Sequence, residues 1–120
     1  MAVARATHAR GARHFLLVSA LGASPTSQVF YSRVKGEVEG AISAVGFRSV
    51  TIARPSLLVG RRAEPRLGEQ VGMVLLALAP RRWRPIPATQ VARALVEAAS
   101  KDLAGLRILE NRELLELASS

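Results

Sequence analysis

"RHFLLVSA", residues 13–20, is a continuous apolar run that closes on small residues. A strand with one face in water alternates apolar and polar side chains, whereas a strand covered on both faces does not. The run therefore reads as a parallel strand inside a sheet, and its neighbours must supply the cover. Residues 2–10 before it read as a short helix with Gly11 as the C-cap. After it, "LGASPTSQ" (21–28) is a loop of turn formers, and "VFYSRVKGEVEG" (29–40) opens a helix that ends near Gly46. Phe30, Val34, Val38, Ala41, Ile42 and Val45 form the apolar stripe of that helix at the spacing of a packed face. "RSVTIARPS" (48–56) is rich in β-branched residues and stops at Pro55, so it reads as a second strand.

The rest of the chain continues the alternation. "LLVGRRAEPRLGE" (57–69) reads as a long loop, residues 69–79 as an apolar helix ended by Pro80, and "RPIP" (84–87) as a short extended segment. "ATQVARALVEAAS" (88–100) is amphipathic, with Thr89 as its cap and Val91, Leu95 and Val96 inward. "LRILEN" (106–111) is a last strand and "RELLELA" a terminal helix. Strands separated by helices, with the strands covered, mean an α/β fold with a parallel sheet, and residues 1–120 are expected to make one domain.

Composition narrows the chemistry. At 49% apolar residues, the chain of 120 is expected to bury a core. It has no cysteine, and His8 and His14 are its only histidines, so no metal site is expected. His14 reads as a surface residue flanking its strand. The net charge of +8 invites a nucleic-acid reading. Lys35 and Lys101 are the only lysines, however, and the arginines are scattered from Arg5 to Arg112, a pattern that GC-rich coding also produces. The densest clusters, "RRWRP" (81–85) and "GRRAEPR" (60–66), carry no recognised binding motif; Trp83 reads as a packing anchor for its arginine neighbours. No specific nucleic-acid partner is expected. "HFLLVSALGA" begins too late and is too short for a signal peptide, and "VGMVLLALA" (71–79) falls well below the ~20 residues of a membrane span. The expectation is a cytoplasmic protein with no membrane partner.

Tyr31 and Lys35 stand four residues apart and so share a helical face. Ser19 ends the first strand, twelve residues before Tyr31, and functional groups of open α/β sheets gather outside the carboxyl ends of the strands. A phenol is a poor base at neutral pH, a neighbouring ammonium favours its phenolate, and a serine hydroxyl can hold a substrate oxygen in line for proton transfer.

These residues carry a resemblance. "HFLLVSALGA", "VFYSRVKGEVEG" and "TIARPSLLVGRRAEPRLGE" together resemble the second half of the short-chain dehydrogenase/reductase superfamily. More narrowly, they resemble its atypical branch related to nucleoside-diphosphate-sugar epimerases and to Tat-interacting-protein-like oxidoreductases. The YxxxK signature falls on Tyr31 and Lys35, the upstream hydroxyl on Ser19, and an Arg-Pro after the next strand on Arg54 and Pro55. The resemblance implies NAD or NADP as cofactor and a small-molecule carbonyl or alcohol as substrate. Tyr31 would be the acid/base, Lys35 would hold the nicotinamide ribose, Ser19 would orient the substrate, and Pro55, Ser56 and Leu57 would lie beside the nicotinamide.

One departure is large. The family opens with a strand and a glycine-rich turn, GxxGxxG, that binds the pyrophosphate at a helix N-terminus, and this sequence has none. Pro87 and Gln90 also stand where related proteins more often place a histidine and an aspartate. The expectation is a partial Rossmann-like parallel sheet with flanking helices, lacking the N-terminal strands and the glycine-rich turn. Its first strand would keep an unpaired edge, suited to self-association or to an N-terminal fragment as partner. Two other functions remain open at this point: a non-catalytic binding or regulatory module on an NAD(P)-type fold, and a basic nucleic-acid binder.

Overall fold

Three parallel strands organise the computed structural model, which describes residues 2–56, 58–59 and 84–118. The described elements are α1 (Ala2–Ala9), β1 (His14–Val18), α2 (Phe30–Ser43), β2 (Ser49–Arg54), β3 (Leu58–Val59), β4 (Ile86–Pro87), α3 (Ala88–Lys101), β5 (Gly105–Glu110) and α4 (Asn111–Ala118). The main sheet has the order β1-β2-β5, with Phe15 opposite Val50 and Ile52 opposite Ile108. The expected α/β class and parallel sheet are what the chain forms. The expected helix at 69–79 and the arginine–tryptophan cluster at 81–83 lie outside the described residues.

Strand periodicity sorts the core into two layers. Val50 and Ile52 point to one face, where they meet Ala4, Ile42 and Phe47, with Phe15, Leu17, Val38 and Val45 beside them. Ala53 and Leu109 point to the other, against Ile86, Val91, Ala94 and Leu114. Thus α1 and α2 cover one face, and α3 and α4 the other. The first five residues of β2 are all buried, as the central strand of such a sandwich must be.

Four local expectations need correction. The segment expected as one loop from residue 57 begins with β3, which pairs with β4 far along the chain; a two-residue ladder leaves no period to read. Helix α3 starts after Pro87 without a side-chain cap, and Thr89 lies inside its first turn. Val96 faces solvent, and Val91, Ala94 and Ala98 form the buried row of α3, so small alanines set its packing face. On α2, Phe30 and Val34 are exposed, whereas Gly36, Glu39 and Ile42 are buried. The helix is rotated from its apolar stripe because Glu39 finds a cation beneath it and Gly36 admits a close backbone neighbour.

At the amino ends of the strands a polar cluster holds the sheet together. His14 Nε2 hydrogen-bonds Thr51 Oγ1 at 2.8 Å, and Nδ1 lies 3.2 Å from Asp102 Oδ1, within ion-pair range but without hydrogen-bond alignment. Arg48 donates to Asp102 Oδ2 at 2.8 Å, and Ser49 Oγ donates to Oδ1 at 3.3 Å. Asp102 adopts the left-handed conformation (φ 46°) that ends α3, where its N–H donates to the Ala98 carbonyl. His14 is therefore a largely buried joint between β1, β2 and the end of α3, and the expected surface placement is wrong.

Candidate functional site at the carboxyl ends of β1 and β2

Beyond Val18 the chain continues alongside β2. The Ser19 N–H donates to the Ala53 carbonyl at 2.7 Å and the Leu21 N–H to the Pro55 carbonyl at 3.0 Å. These two bonds place Ser19 beside the Ala53–Pro55 end of β2. Ser19 is 6% exposed, and its Oγ has no hydrogen-bond partner among the described residues. A buried hydroxyl left unpaired costs about 1–3 kcal/mol, which singles Ser19 out among the polar groups at this end of the sheet.

The same loop then turns to α2. The Ser24 N–H donates to the Ser32 carbonyl at 3.0 Å, and the Ser27 Oγ accepts from the Val29 N–H at 3.1 Å as α2 begins. A Cβ on Gly36 would collide with the backbone of Ser24 and Pro25. The absence of a side chain at Gly36 thus lets the loop carrying Ser19 lie against the helix carrying Tyr31 and Lys35. On that helix Tyr31 is exposed, Lys35 is half-buried, and the Lys35 Nζ lies 5.6 Å from the centre of the Tyr31 ring. The ammonium meets the face of the ring, a cation–π contact.

Arg54, the last residue of β2, fixes α2 from below. Its guanidinium donates to both carboxylate oxygens of Glu39, at 2.5 and 3.1 Å, and to Glu110 Oε1 at 2.8 Å. The fork geometry suits a carboxylate gripped at two points. The hydrogen bonds it donates to Glu39 first, opposed by desolvation and aided by Glu110, push the guanidinium pKa further up, so Arg54 stays charged at any working pH. Pro55 is buried. The Ser56 N–H donates to Asn111 Oδ1 at 3.0 Å, and its Oγ donates to the Arg84 carbonyl at 2.7 Å. Asn111 also donates to that carbonyl at 2.8 Å.

Of the residues singled out in the sequence, Ser19, Pro55 and Ser56 come together at one end of the sheet. Tyr31 and Lys35 pair on the helix stitched to that end. No hydrogen bond joins Ser19 to Tyr31, since the Ser19 Oγ has no partner. Leu57 lies outside the described residues. The sequence reading missed Glu39 and Asn111, which hold the site in place. Glu39 left one signal: a carboxylate between Val38 and Ile42, where only a buried cation could keep it. Asn111 left none, because its partners are backbone groups 55 and 27 residues away. An open depression between α1 and α2, lined by Arg5, His8, Ala41, Ala44 and Val45, lies near the far end of α2 and takes no part in this arrangement.

No family model matches the chain. Individual relatives do. It is 36% identical to the protein fmp52, mitochondrial, of Aspergillus clavatus over 109 residues, 86% of this chain and 47% of the relative. It is 33% identical to the rat protein HTATIP2 over 113 residues, 91% of this chain and 47% of that protein. To FMP52, mitochondrial, of Eremothecium gossypii it is 34% identical over 126 residues, 98% of this chain and 56% of the relative. The chain spans about half the length of the curated relatives it matches. The fungal relatives are named as mitochondrial, which overturns the expected cytoplasmic location. Sequence and sheet together make this chain a homologue of Fmp52 and HTATIP2 over about half of their length, with a parallel α/β sheet of partial Rossmann-like type.

Proposed function

We propose that the chain is part of an NAD(P)-dependent oxidoreductase of the short-chain dehydrogenase/epimerase type, acting on a small carbonyl or alcohol. The observation that carries this reading is the buried, unpartnered Ser19 hydroxyl at the carboxyl end of β1, on a loop tied to the helix of Tyr31 and Lys35. A hydroxyl so placed fits the substrate-oxygen end of a nicotinamide site. A bound nicotinamide would supply the hydride. Tyr31 would give its phenolic proton to the substrate oxygen, or take one from it in the reverse direction. The Lys35 ammonium, already against the Tyr31 ring, would stabilise negative charge developing on the phenolic oxygen and hold a ribose hydroxyl. Ser19 would donate to the same substrate oxygen and fix its line of approach. Pro55 and Ser56 would wall the nicotinamide ring, with Ser56 held rigid by Asn111 and the Arg84 carbonyl.

A second reading, a non-catalytic binding or regulatory module on the same fold, is favoured by Tyr31 being 60% exposed with no hydrogen bond to Ser19. One assay separates the two. The chain is incubated with millimolar NADPH, so that weak affinity does not hide turnover, and with a panel of small aldehydes and ketones. Loss of NADPH absorbance that drops by about 10²–10⁴-fold in Tyr31→Phe, with the circular dichroism unchanged, supports catalysis. Carbonyl-dependent consumption that Tyr31→Phe leaves unchanged sinks the catalytic reading.

A further inference from the structure

A depression of about 290 Å³ lies between α1 and α2, lined by Arg5, His8, Ala41, Ala44 and Val45. The rotation of α2 makes its floor. Ala41 and Val45 belong to the apolar stripe of that helix, yet they are only half-buried, because Gly36, Glu39 and Ile42 take the inward face. Ala44, which caps the helix, is exposed. Short side chains at these three places leave apolar surface open where longer ones would fill it.

The wall is basic. Arg5 and His8 stand three residues apart and so share a face of α1. The imidazole is fixed in place: Nε2 lies 3.3 Å from the Gly46 carbonyl oxygen, and the ring meets Phe47 edge-on with centroids 5.1 Å apart. A carbonyl only accepts, so Nε2 carries a proton and Nδ1 is the atom left for another partner. The Arg5 guanidinium makes no hydrogen bond or ion pair with a described residue, whereas Arg48, Arg54 and Lys101 are all engaged. Neither Asp nor Glu lines the depression, and the sequence has none before Glu37.

We propose that this depression binds a small organic carboxylate with a short apolar body. Arg5 and His8 Nδ1 hold the carboxylate, and Ala41, Ala44 and Val45 take the body. A guanidinium fork matches a carboxylate at two points, and the volume lies at the lower end of small-molecule sites. The depression sits at the carboxyl end of α2, where the helix dipole is negative. A phosphate dianion is repelled there more than a monoanion is, and it has no use for the apolar floor. Nδ1 donates only from the protonated ring, so the carboxylate binds together with a proton. The groups facing His8 are Arg5 on its own helix and the Gly46 carbonyl and Phe47 ring beyond α2; no described carboxylate pairs with it. The proposal rests on the depression alone and needs neither a cofactor nor the oxidoreductase reading.

The test is an NMR titration of the isotope-labelled chain with sodium hexanoate, read at the backbone amides. Millimolar hexanoate should shift Ala41, Ala44 and Val45 saturably, and its affinity should fall severalfold from about pH 6 to about pH 8. His8→Gln, whose amide donates at either pH, should remove that dependence. Arg5→Gln should weaken binding by about tenfold or more, the worth of a charge-assisted hydrogen bond. Ala44→Leu fills the floor from an exposed position and should abolish binding. Arg10→Gln removes an exposed arginine outside the depression and should change nothing. The spectra themselves report that each variant is folded. The proposal is overturned if hexanoate gives no saturable shift at the three amides, or if inorganic phosphate shifts them equally well. It is also overturned if Arg10→Gln weakens binding as much as Arg5→Gln, since general surface charge would then account for it.

Discussion

Glu39 is a carboxylate buried on a helix, and Arg54 is the reason it can be there. A lone charge in that position costs several kcal/mol, which a two-point grip by a guanidinium offsets. Arg54→Ala should therefore destabilise the chain by about 3–5 kcal/mol, because it strands the Glu39 charge in the interior. Glu110→Ala should cost under about 1 kcal/mol, since that carboxylate is 43% exposed and water can replace its contact. Urea unfolding of the two variants checks the ranking, and equal losses would show that Glu39 is not held by Arg54. Because the guanidinium pKa is raised by its two carboxylate partners, Arg54 stays charged as pH rises and its side of the pair is lost only at extreme alkalinity. The sequence displayed Arg54 as half of an Arg-Pro signature and Glu39 as one polar residue among others. The link between them was illegible, because a pairing across a strand and a helix leaves no spacing rule. Ser19, Tyr31 and Lys35 were legible, since each sits at a strand end or a helical interval that a one-dimensional pattern can mark.

At the scale of elements, α2 shows where periodicity succeeds and fails. Its length and position follow from the apolar spacing, but its rotation does not, for Phe30 is 70% exposed. The Arg33 guanidinium lies over the Phe30 ring, so one of the stripe's largest side chains is covered by a cation and not by the core. What sets the rotation is a glycine, which an apolar pattern scores as nothing. Gly36→Ala would drive a methyl into the backbone of Ser24 and Pro25, and should cost about 1–3 kcal/mol as loop and helix part. Gly40, one turn on, has nothing among the described residues within 4 Å of where a Cβ would stand. Gly40→Ala should stabilise α2 by up to about 1 kcal/mol through helix propensity. Thermal melts of the pair give opposite signs if this account is right. A neutral Gly36→Ala would mean that the loop yields freely, and that the site's alignment does not depend on it. For α3 the same lesson holds in milder form: its existence was plain in the sequence, but alanines, not Leu95 and Val96 together, make the buried row.

For the whole molecule, the charge of +8 is the most conspicuous number in the sequence, yet part of it is engaged. Arg48 pairs with Asp102, Arg54 with Glu39 and Glu110, and Lys101 with Glu97. The remainder is spread over the chain, so any hold on DNA or RNA should be unspecific and lost by about 0.15 M salt. A filter-binding titration across salt checks this, and a complex that survives physiological salt and depends on Arg81, Arg82 and Arg84 would contradict it. Cofactor affinity is the sharper question, because it asks what half of such a fold can do. Dinucleotide affinity in these sheets comes largely from the pyrophosphate, which needs glycines at a strand–helix turn so that backbone N–H groups can close on it. The nine glycines here follow no such pattern. Gly11 and Gly46 take positive φ just past α1 and α2, and Gly105 takes it as β5 begins. Only Gly22 lies between β1 and α2, and its neighbour there is the Ser32 hydroxyl. On the proposed reading, what the chain would offer a nucleotide is the nicotinamide end: Ser19, Lys35 and the wall at Pro55 and Ser56. The chain alone should therefore show no saturable NADPH binding at micromolar concentration in a calorimeter, and the ribose–nicotinamide end should contribute the little heat there is. Lys35→Ala should remove that residue of binding. Micromolar affinity in the isolated chain would place a phosphate site within these 120 residues and shift the search for it to the arginines around residues 60–66 and 81–84.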